Sequence, residues 1–384
     1  MRVQIVDPAA YTPPYDHALS GALARAGALV ELITCRFPYG PVPREDGYTV
    51  SERFYRRSSR PGVSPRLRRA LRAAEHVPDM LRYRREAPRD ADVVHYQWLP
   101  VPALDRRLLA PVHPRVFTMH WRFPDPGSRI AGTLTALIAE MDAVVAHSAH
   151  GRRRLSEDYG VDPDKVEVIP HGAFDYLTRQ PEEVPLPAAL REVERPVILA
   201  FGLVRPYKGT DLLLEAFREV DGAELWIVGM PRMPIEPLRE LAAQAPGKVR
   251  FVDRFVTDPE IPAFMRRADL VVLPYRNIEQ SGVLYTALAF GRPLVLSDVG
   301  GFPEVAALGA ARIVPREDPA ALAAALRELI ADPEERERLG AGALAAAEGE
   351  YSWDGIGQRT LALYERLLSI PRDGAPDRQP RKRT

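Results

Sequence analysis

Short apolar runs recur along the whole chain, each followed by a polar loop and a stretch with helical spacing. Val3 to Val6, Leu29 to Thr34, Asp92 to Tyr96, Arg115 to Met119, Ala143 to His147 and Val166 to Pro170 mark the first half. Val197 to Phe201, Glu224 to Gly229, Val249 to Phe251, Leu270 to Leu273 and Pro293 to Leu296 mark the second. Runs this short and this continuously apolar read as buried strands of parallel sheets. Helix signals fall between them. Asp16 is placed to N-cap a helix over Ala18 to Ala26, which Gly27 ends, and Ser148 to cap the helix of Arg152, Arg153 and Leu155. Thr210 or Asp211 is placed to cap a helix carrying Leu212 to Phe217, and Leu284 to Phe290 reads as a helix stopped by Gly291 and Pro293. Pro319 to Glu350 is helical, and a last helix starts at Tyr351 to Asp354 and runs through Leu368.

The repeated strand–helix–strand order predicts an α/β protein of two doubly wound domains. A chain of 384 residues is too long for one core. The first domain is expected over 1–178, a polar, proline-rich linker over 179–196, the second domain over 197–351, and a disordered tail over 371–384. The chemical end of the second domain lies in the stretch Asp269 to Glu304. There Ser281 and Gly282 enter a helix after a strand, and free N–H groups with a positive dipole end suit a diphosphate. Arg205 and Lys208, in the loop after Phe201, are the cations placed to neutralise it.

Charge and composition narrow the classes. Lys and Arg total 52 and Asp and Glu total 52, so no global field attracts nucleic acid. Cys35 is the single cysteine, which excludes a disulfide framework and a cysteine metal site. The first residues already read as a strand, and no apolar run approaches a bilayer span, so the protein is expected in the cytoplasm. Residues 51–90 are locally basic, with Leu67, Leu71, Val77, Met80 and Leu81 interleaved among twelve arginines. That pattern fits either a solvated arginine-rich face or peripheral contact with an anionic membrane.

The stretch Asp269 to Glu304 resembles the nucleotide-sugar-binding segment of retaining glycosyltransferases of the GT-B fold, family 4. Ala287, Ala289, Gly291 and Pro293 fit the family's Ala-x-Ala-x-Gly-x-Pro ending. Its two glutamates fall at Ile278, beside Glu279, and at Thr286, so the chain departs from the full motif and reads Ser281-Gly282-Val283 in the diphosphate loop. The loop from Gly202 to Lys208 and the turn Gly300-Gly301 before Glu304 also fit the family. The resemblance implies two Rossmann-like domains facing across a cleft, with residues 352–370 crossing back to the first. It implies Glu279 as the donor-side acid, Thr286 as the ribose contact, and Arg254, Phe255 and Val256 at the nucleobase. His120, in Thr118-Met119-His120, takes the position that touches the donor sugar. The acceptor-side candidates are Tyr15, His17, His95, Gln97, Trp98 and Trp121, which stand at strand ends or in the loop YTPPYDH where relatives carry glycines.

The implied reaction is transfer of a hexosyl group from a UDP- or GDP-sugar to a glycan, lipid-linked or small-molecule acceptor, with retention of configuration. No Asp-x-Asp pair stands near the donor loops, so no metal and no cofactor are expected. Two other readings share these features: a nucleotide-sugar epimerase, and a non-catalytic nucleotide-sugar-binding protein. An epimerase consumes donor without acceptor; a binding protein never releases nucleotide.

Overall fold

The computed structural model describes residues 1–37, 42, 46–120 and 123–371. Two parallel sheets form the frame. The first holds β1 (Arg2–Asp7), β2 (Leu29–Thr34), β3 (Tyr48–Glu52), β4 (Val93–Tyr96), β5 (Arg115–Thr118), β6 (Ala143–Ala146) and β7 (Val166–Val168), in the order β3-β2-β1-β4-β5-β6-β7. The second holds β8 (Val197–Phe201), β9 (Glu224–Val228), β10 (Lys248–Val252), β11 (Leu270–Leu273), β12 (Leu294–Ser297) and β13 (Ala311–Val314), in the order β10-β9-β8-β11-β12-β13. Each order reverses once, between β1 and β4 and between β8 and β11. Ligands of open α/β sheets bind at such points, outside the strands' C-terminal ends.

The central strands are apolar because helices cover both of their faces. Val93 and Val94 on β4, Leu270 to Leu273 on β11 and Leu294 to Leu296 on β12 are all buried. Burying one such side chain contributes roughly 1.5–3 kcal/mol. Trp226, on β9, is fully buried, and Trp226→Ala would cost about 3–5 kcal/mol through the cavity it leaves.

Seven helices position the site: α1 (Pro13–Arg25), α2 (Pro65–Asp90), α3 (Ala149–Tyr159), α4 (Thr210–Phe217), α5 (Gly282–Ala289), α6 (Phe302–Ala306) and α7 (Trp353–Ser369). The Ser148 side chain caps α3 by accepting from Gly151 N–H at 3.0 Å, and Ser352 caps α7 by accepting from Gly355 N–H at 3.3 Å. Two expected caps are different. α1 starts earlier than read, at Pro13, where proline's missing N–H costs nothing; Asp16 sits buried inside its first turn. α4 is entered through Gly209, whose φ of +65° is left-handed, and neither Thr210 nor Asp211 caps it. The Asp211 carboxylate instead pairs with Arg276, at 2.8 Å.

Helix α7 packs along α1 and returns the chain to the first sheet. Arg25 pairs with Asp354 at 2.7 Å, and the buried Tyr364 hydroxyl meets His95 Nδ1 at 2.6 Å. Ala173, Leu177 and Leu190, from the expected end of the first domain and from the linker, pack into an apolar cluster with β8, β11 and α5. The tail beyond residue 371 lies outside the described residues.

Candidate active site

The expected donor side is built on the ends of β8 and β11. After β8 the chain turns through Gly202, at φ +91°, and Lys208 folds back over it. A Cβ on Gly202 would stand 3.0 Å from both Lys208 Nζ and Val283 Cγ2, so the amine and the first turn of α5 converge on that glycine. Lys208 Nζ lies 5.1 Å from the centre of the Tyr275 ring and 3.5 Å from Phe201 O. No carboxylate pairs with it among the described residues. Burial lowers its pKa to about 8, and the nearby Arg205 charge adds to the effect. A cation short of a counter-ion in this setting is suited to an incoming anion. Arg205 is exposed at the loop's edge.

At the entrance of α5, Gly282 is exposed and Val283 half-buried. Their N–H groups occupy the first helical positions, where no intrahelical carbonyl reaches them. Ser281 is buried; its hydroxyl accepts from Leu284 N–H and lies near Tyr275 Oη, both at 3.4 Å. Its side chain is therefore a cap, and the anion-facing groups are the backbone. Thr286 does not fit the ribose role. Its hydroxyl donates to Gly282 O at 2.9 Å within its own helix, and only 5% of the residue is exposed. In the base loop, Val256 is buried, Phe255 is exposed, and Arg254 is held by Glu260 at 2.6 Å.

The first domain faces this with rings at successive strand ends. Gln97 and Trp98 follow β4, His120 follows β5, His147 follows β6, and His171 follows β7. His120 Nε2 lies 2.9 Å from Gln97 Oε1, and His120 Nδ1 lies 3.3 Å from His147 Nε2. His147 Nδ1 donates to Ile169 O at 3.0 Å. Burial holds His120 well below the usual histidine range, and the neighbouring His147 and His171 add to this. It also lowers His147 to about 4. These imidazoles are neutral at pH 7 and act as hydrogen-bonding groups. Trp98 stacks on His120, with centroids 5.5 Å apart, and its indole N–H donates to Thr12 Oγ1 at 2.8 Å.

Two acceptor-side assignments are corrected by burial. Tyr15 is 2% exposed and packs edge-on against His120, His147 and Trp353, so it supports the wall from behind. His95 is 1% exposed, with Nδ1 on Tyr364 Oη and Nε2 on Thr118 Oγ1, and no nitrogen remains for a ligand. His17 is buried, with Nδ1 against Tyr48 Oη at 2.5 Å. Trp121 lies outside the described residues. The basic segment 51–90 resolves into β3 and α2. Arg53 and Arg82 turn inward to Glu31, Glu86 and Asp79, while Leu67 and Leu81 stand exposed.

Contacts across the cleft were invisible in the residue pattern. His171 stacks on Tyr285 of α5 at 4.4 Å with an interplanar angle of 10°. Glu304, at the start of α6, is more than a dipole acid for its own helix. Its two carboxylate oxygens accept from Ala149 N–H at 3.0 Å and His150 N–H at 2.9 Å, at the N-terminus of α3 in the other domain. Glu279, expected at the donor sugar, pairs with Arg154 of α3 at 2.8 Å. His147 and His171 were overlooked as site residues, although a histidine at or just after the end of several successive apolar runs was a readable signal.

Two doubly wound parallel sheets joined by a returning helix define the GT-B fold. Residues 195–332 match the family model for glycosyl transferases group 1, and residues 15–173 match that for glycosyltransferase family 4. The chain is 32% identical over 322 residues to the D-inositol 3-phosphate glycosyltransferase 1 of Catenulispora acidiphila, covering 77% of this chain and 76% of that one. It is 33% identical over 267 residues to the D-inositol 3-phosphate glycosyltransferase of Jonesia denitrificans; there the match takes in 63% of this chain and 61% of the relative's length. Among solved structures it resembles Anabaena Alr3699/HepE in complex with UDP-glucose, with a TM-score of 0.68 at 17% identity, over 96% of this chain and all of the other. The chain belongs to glycosyltransferase family 4.

Proposed function

We propose that the protein transfers a hexosyl group from a nucleotide diphosphate sugar, a UDP- or GDP-sugar, to a hydroxyl acceptor, with retention of configuration and without a metal. The observation that carries this is the convergence of Lys208, Gly202 and the first turn of α5 on one point at the β8/β11 switch. When the anomeric C–O bond breaks, its electron pair goes to the leaving diphosphate oxygen. Lys208, Arg205 and the N–H groups of Gly282 and Val283 take up that charge. The new C–O bond forms on the face the diphosphate leaves, and the acceptor proton passes to the leaving oxygen. His120, its ring nitrogens turned to Gln97 and His147, offers the sugar an imidazole face fixed in place for packing rather than a free hydrogen-bonding group.

The relatives' printed names support a phosphorylated polyol as acceptor, and the solved neighbour bound to UDP-glucose supports a uridine donor. Peripheral binding to an anionic membrane in the cytoplasm belongs to the same proposal. Its support is the outer side of α2, where Leu67 and Leu81 are exposed between Arg66, Arg84 and Arg85. No helix among the described residues is long and apolar enough to cross a membrane.

The test is turnover of carbon-13-labelled UDP-glucose with D-inositol 3-phosphate in EDTA, read by NMR. UDP release coupled to a product with the donor's anomeric configuration is expected. Donor consumption without acceptor would replace the transferase by an epimerase. Bound donor with no release of UDP would replace it by a binding protein.

A further inference from the structure

We propose that His147 is a positioning residue of the cleft: it fixes the tautomer of His120 and the direction of the Gln97 amide, through a hydrogen-bond chain that runs one way to a backbone carbonyl. The proposal rests on the transferase reading and adds a residue behind the sugar wall.

The chain crosses four neighbouring strand ends. Gln97 follows β4, His120 follows β5, His147 follows β6 and Ile169 follows β7, and these strands lie side by side in the sheet. The direction is set at the Ile169 end. A carbonyl oxygen only accepts, so His147 Nδ1, 3.0 Å away, carries the proton. In a neutral ring Nε2 is then the acceptor, and His120 Nδ1, at 3.3 Å, must donate to it. That leaves His120 Nε2 with a lone pair toward the Gln97 amide, 2.9 Å away. With the amide oxygen on that side, two acceptors would face each other and Gln97 Nε2 would stay buried without a partner. A half-turn of the amide removes both faults, because Nε2 then donates to His120. Protons thus point from Gln97 to His120, from His120 to His147, and from His147 to Ile169.

The competing arrangement is a charged ring. A doubly protonated His120 could donate to both Gln97 Oε1 and His147 Nε2. Burial opposes that charge, and His147, His171 and His95 add to the effect. The rings packed on His120 are Tyr15, edge-on at 4.7 Å, Trp98, stacked at 5.5 Å, and His147, tilted at 5.0 Å. None of them brings a carboxylate to offset an imidazolium. Neutrality bears on the reaction, because the sugar gains positive charge as the anomeric C–O bond breaks. A cation in the wall beside it would oppose that charge. Tyr15 and Trp98 hold the plane of the His120 ring, and His147 holds its protonation. His147 is itself only 5% exposed, so it acts through His120.

The test is the nitrogen-15 spectrum of the histidine rings in the full chain at pH 7, read beside turnover of UDP-glucose with D-inositol 3-phosphate. The His120 signals are those missing from His120→Asn. The wild type is expected to show His120 as the Nδ1–H tautomer. His147→Leu is expected to move it to Nε2–H, which donates to Gln97 Oε1. His147→Gln, whose amide can accept from His120 and donate to Ile169, should keep Nδ1–H. The kcat should fall about 3- to 10-fold in His147→Leu, the scale of one neutral hydrogen bond, and recover in His147→Gln. UDP affinity should stay within about twofold in both variants, because the diphosphate groups lie in the other domain. Wild-type His120 with its proton on Nε2 overturns the proposal, and that result needs no variant to fold. A tautomer unmoved in His147→Leu, or a kcat unchanged once it has moved, overturns it as well. A wild type that shows the Nδ1–H tautomer but transfers no sugar upholds the chain of hydrogen bonds and overturns the transferase reading. Transfer by a wild type with His120 as Nε2–H overturns the positioning role alone.

Discussion

Arg154 Nη1 donates to Glu279 Oε1 across the cleft at 2.8 Å, joining helix α3 of the first domain to the loop after β11 of the second. Glu304 holds the same helix by its first N–H groups. The second domain thus grips one turn of α3 at two points, and Glu279 is held by the opposite domain rather than left free toward the donor. Removing both grips should loosen the closed arrangement. The double variant Arg154→Met, Glu304→Gln is expected to show a larger radius of gyration by small-angle scattering and a donor KM raised several-fold. An unchanged scattering profile would show that the stack of His171 on Tyr285 and the α7 crossing hold closure by themselves.

Lys208 carries the clearest pH dependence. Its folded pKa, about 8, is below the ordinary lysine value of 10.5 because burial opposes the charge. Above pH 8 the free protein loses that proton, so UDP affinity should fall with rising pH, by at most tenfold per unit. The stability sign is opposite. Between about 8 and 10.5 the unfolded chain binds more protons, so this group's contribution to stability rises with pH in that window. Lys208→Ala should flatten the affinity profile and lower turnover by about 10²-fold. A near-wild-type rate would remove Lys208 from the mechanism.

Asp16 and Asp7 form a buried carboxyl pair beneath the loop after β1. Asp7 accepts from the N–H groups of Ala9, Tyr11 and Thr12, which shapes the loop after β1 without glycines. Burial first, then the Asp7 charge, raises Asp16 well above the ordinary aspartate value of 3.8. The folded protein therefore holds a proton that the unfolded chain releases, and stability falls as pH rises above about 4 toward the folded value. Asp16→Asn should lose less stability than the wild type between pH 4 and pH 8. Urea midpoints measured across that range check this, and parallel curves for the two proteins would contradict it.

Gly209 is required by geometry. Its φ is +65°, and a Cβ would stand 2.0 Å from Pro274 O. Gly209→Ala must displace either the Lys208 loop or the end of β11. It should weaken UDP binding at least tenfold and destabilise by roughly 1–3 kcal/mol, the scale of backbone strain. Unchanged UDP affinity would show that the loop does not set the donor site.

The central strands could be read from the residues because parallel strands covered on both faces must be apolar. Leu270–Leu273 and Leu29–Thr34 have the expected bounds. The edge strands β3, with residues YTVSE, and β13, with residues ARIV, are only partly buried and were not among the runs read as strands. Site residues were legible where backbone chemistry determines them, as at the Ser281-capped entrance of α5. They were not legible where a side chain's direction decides. A histidine at a strand's end can face the cleft, as His120 does, or be enclosed, as His95 is between Tyr364 and Thr118. Glu304 and Arg154 work across domains, and no local spacing encodes that.

The measurement closest to the central claim is calorimetric titration of UDP into wild type and Lys208→Ala at pH 7 with EDTA present. Saturable binding to the wild type, weakened at least tenfold in the variant, is the predicted result. No binding to the wild type, or equal binding to both, would contradict a metal-free diphosphate site built on Lys208 and the entrance of α5.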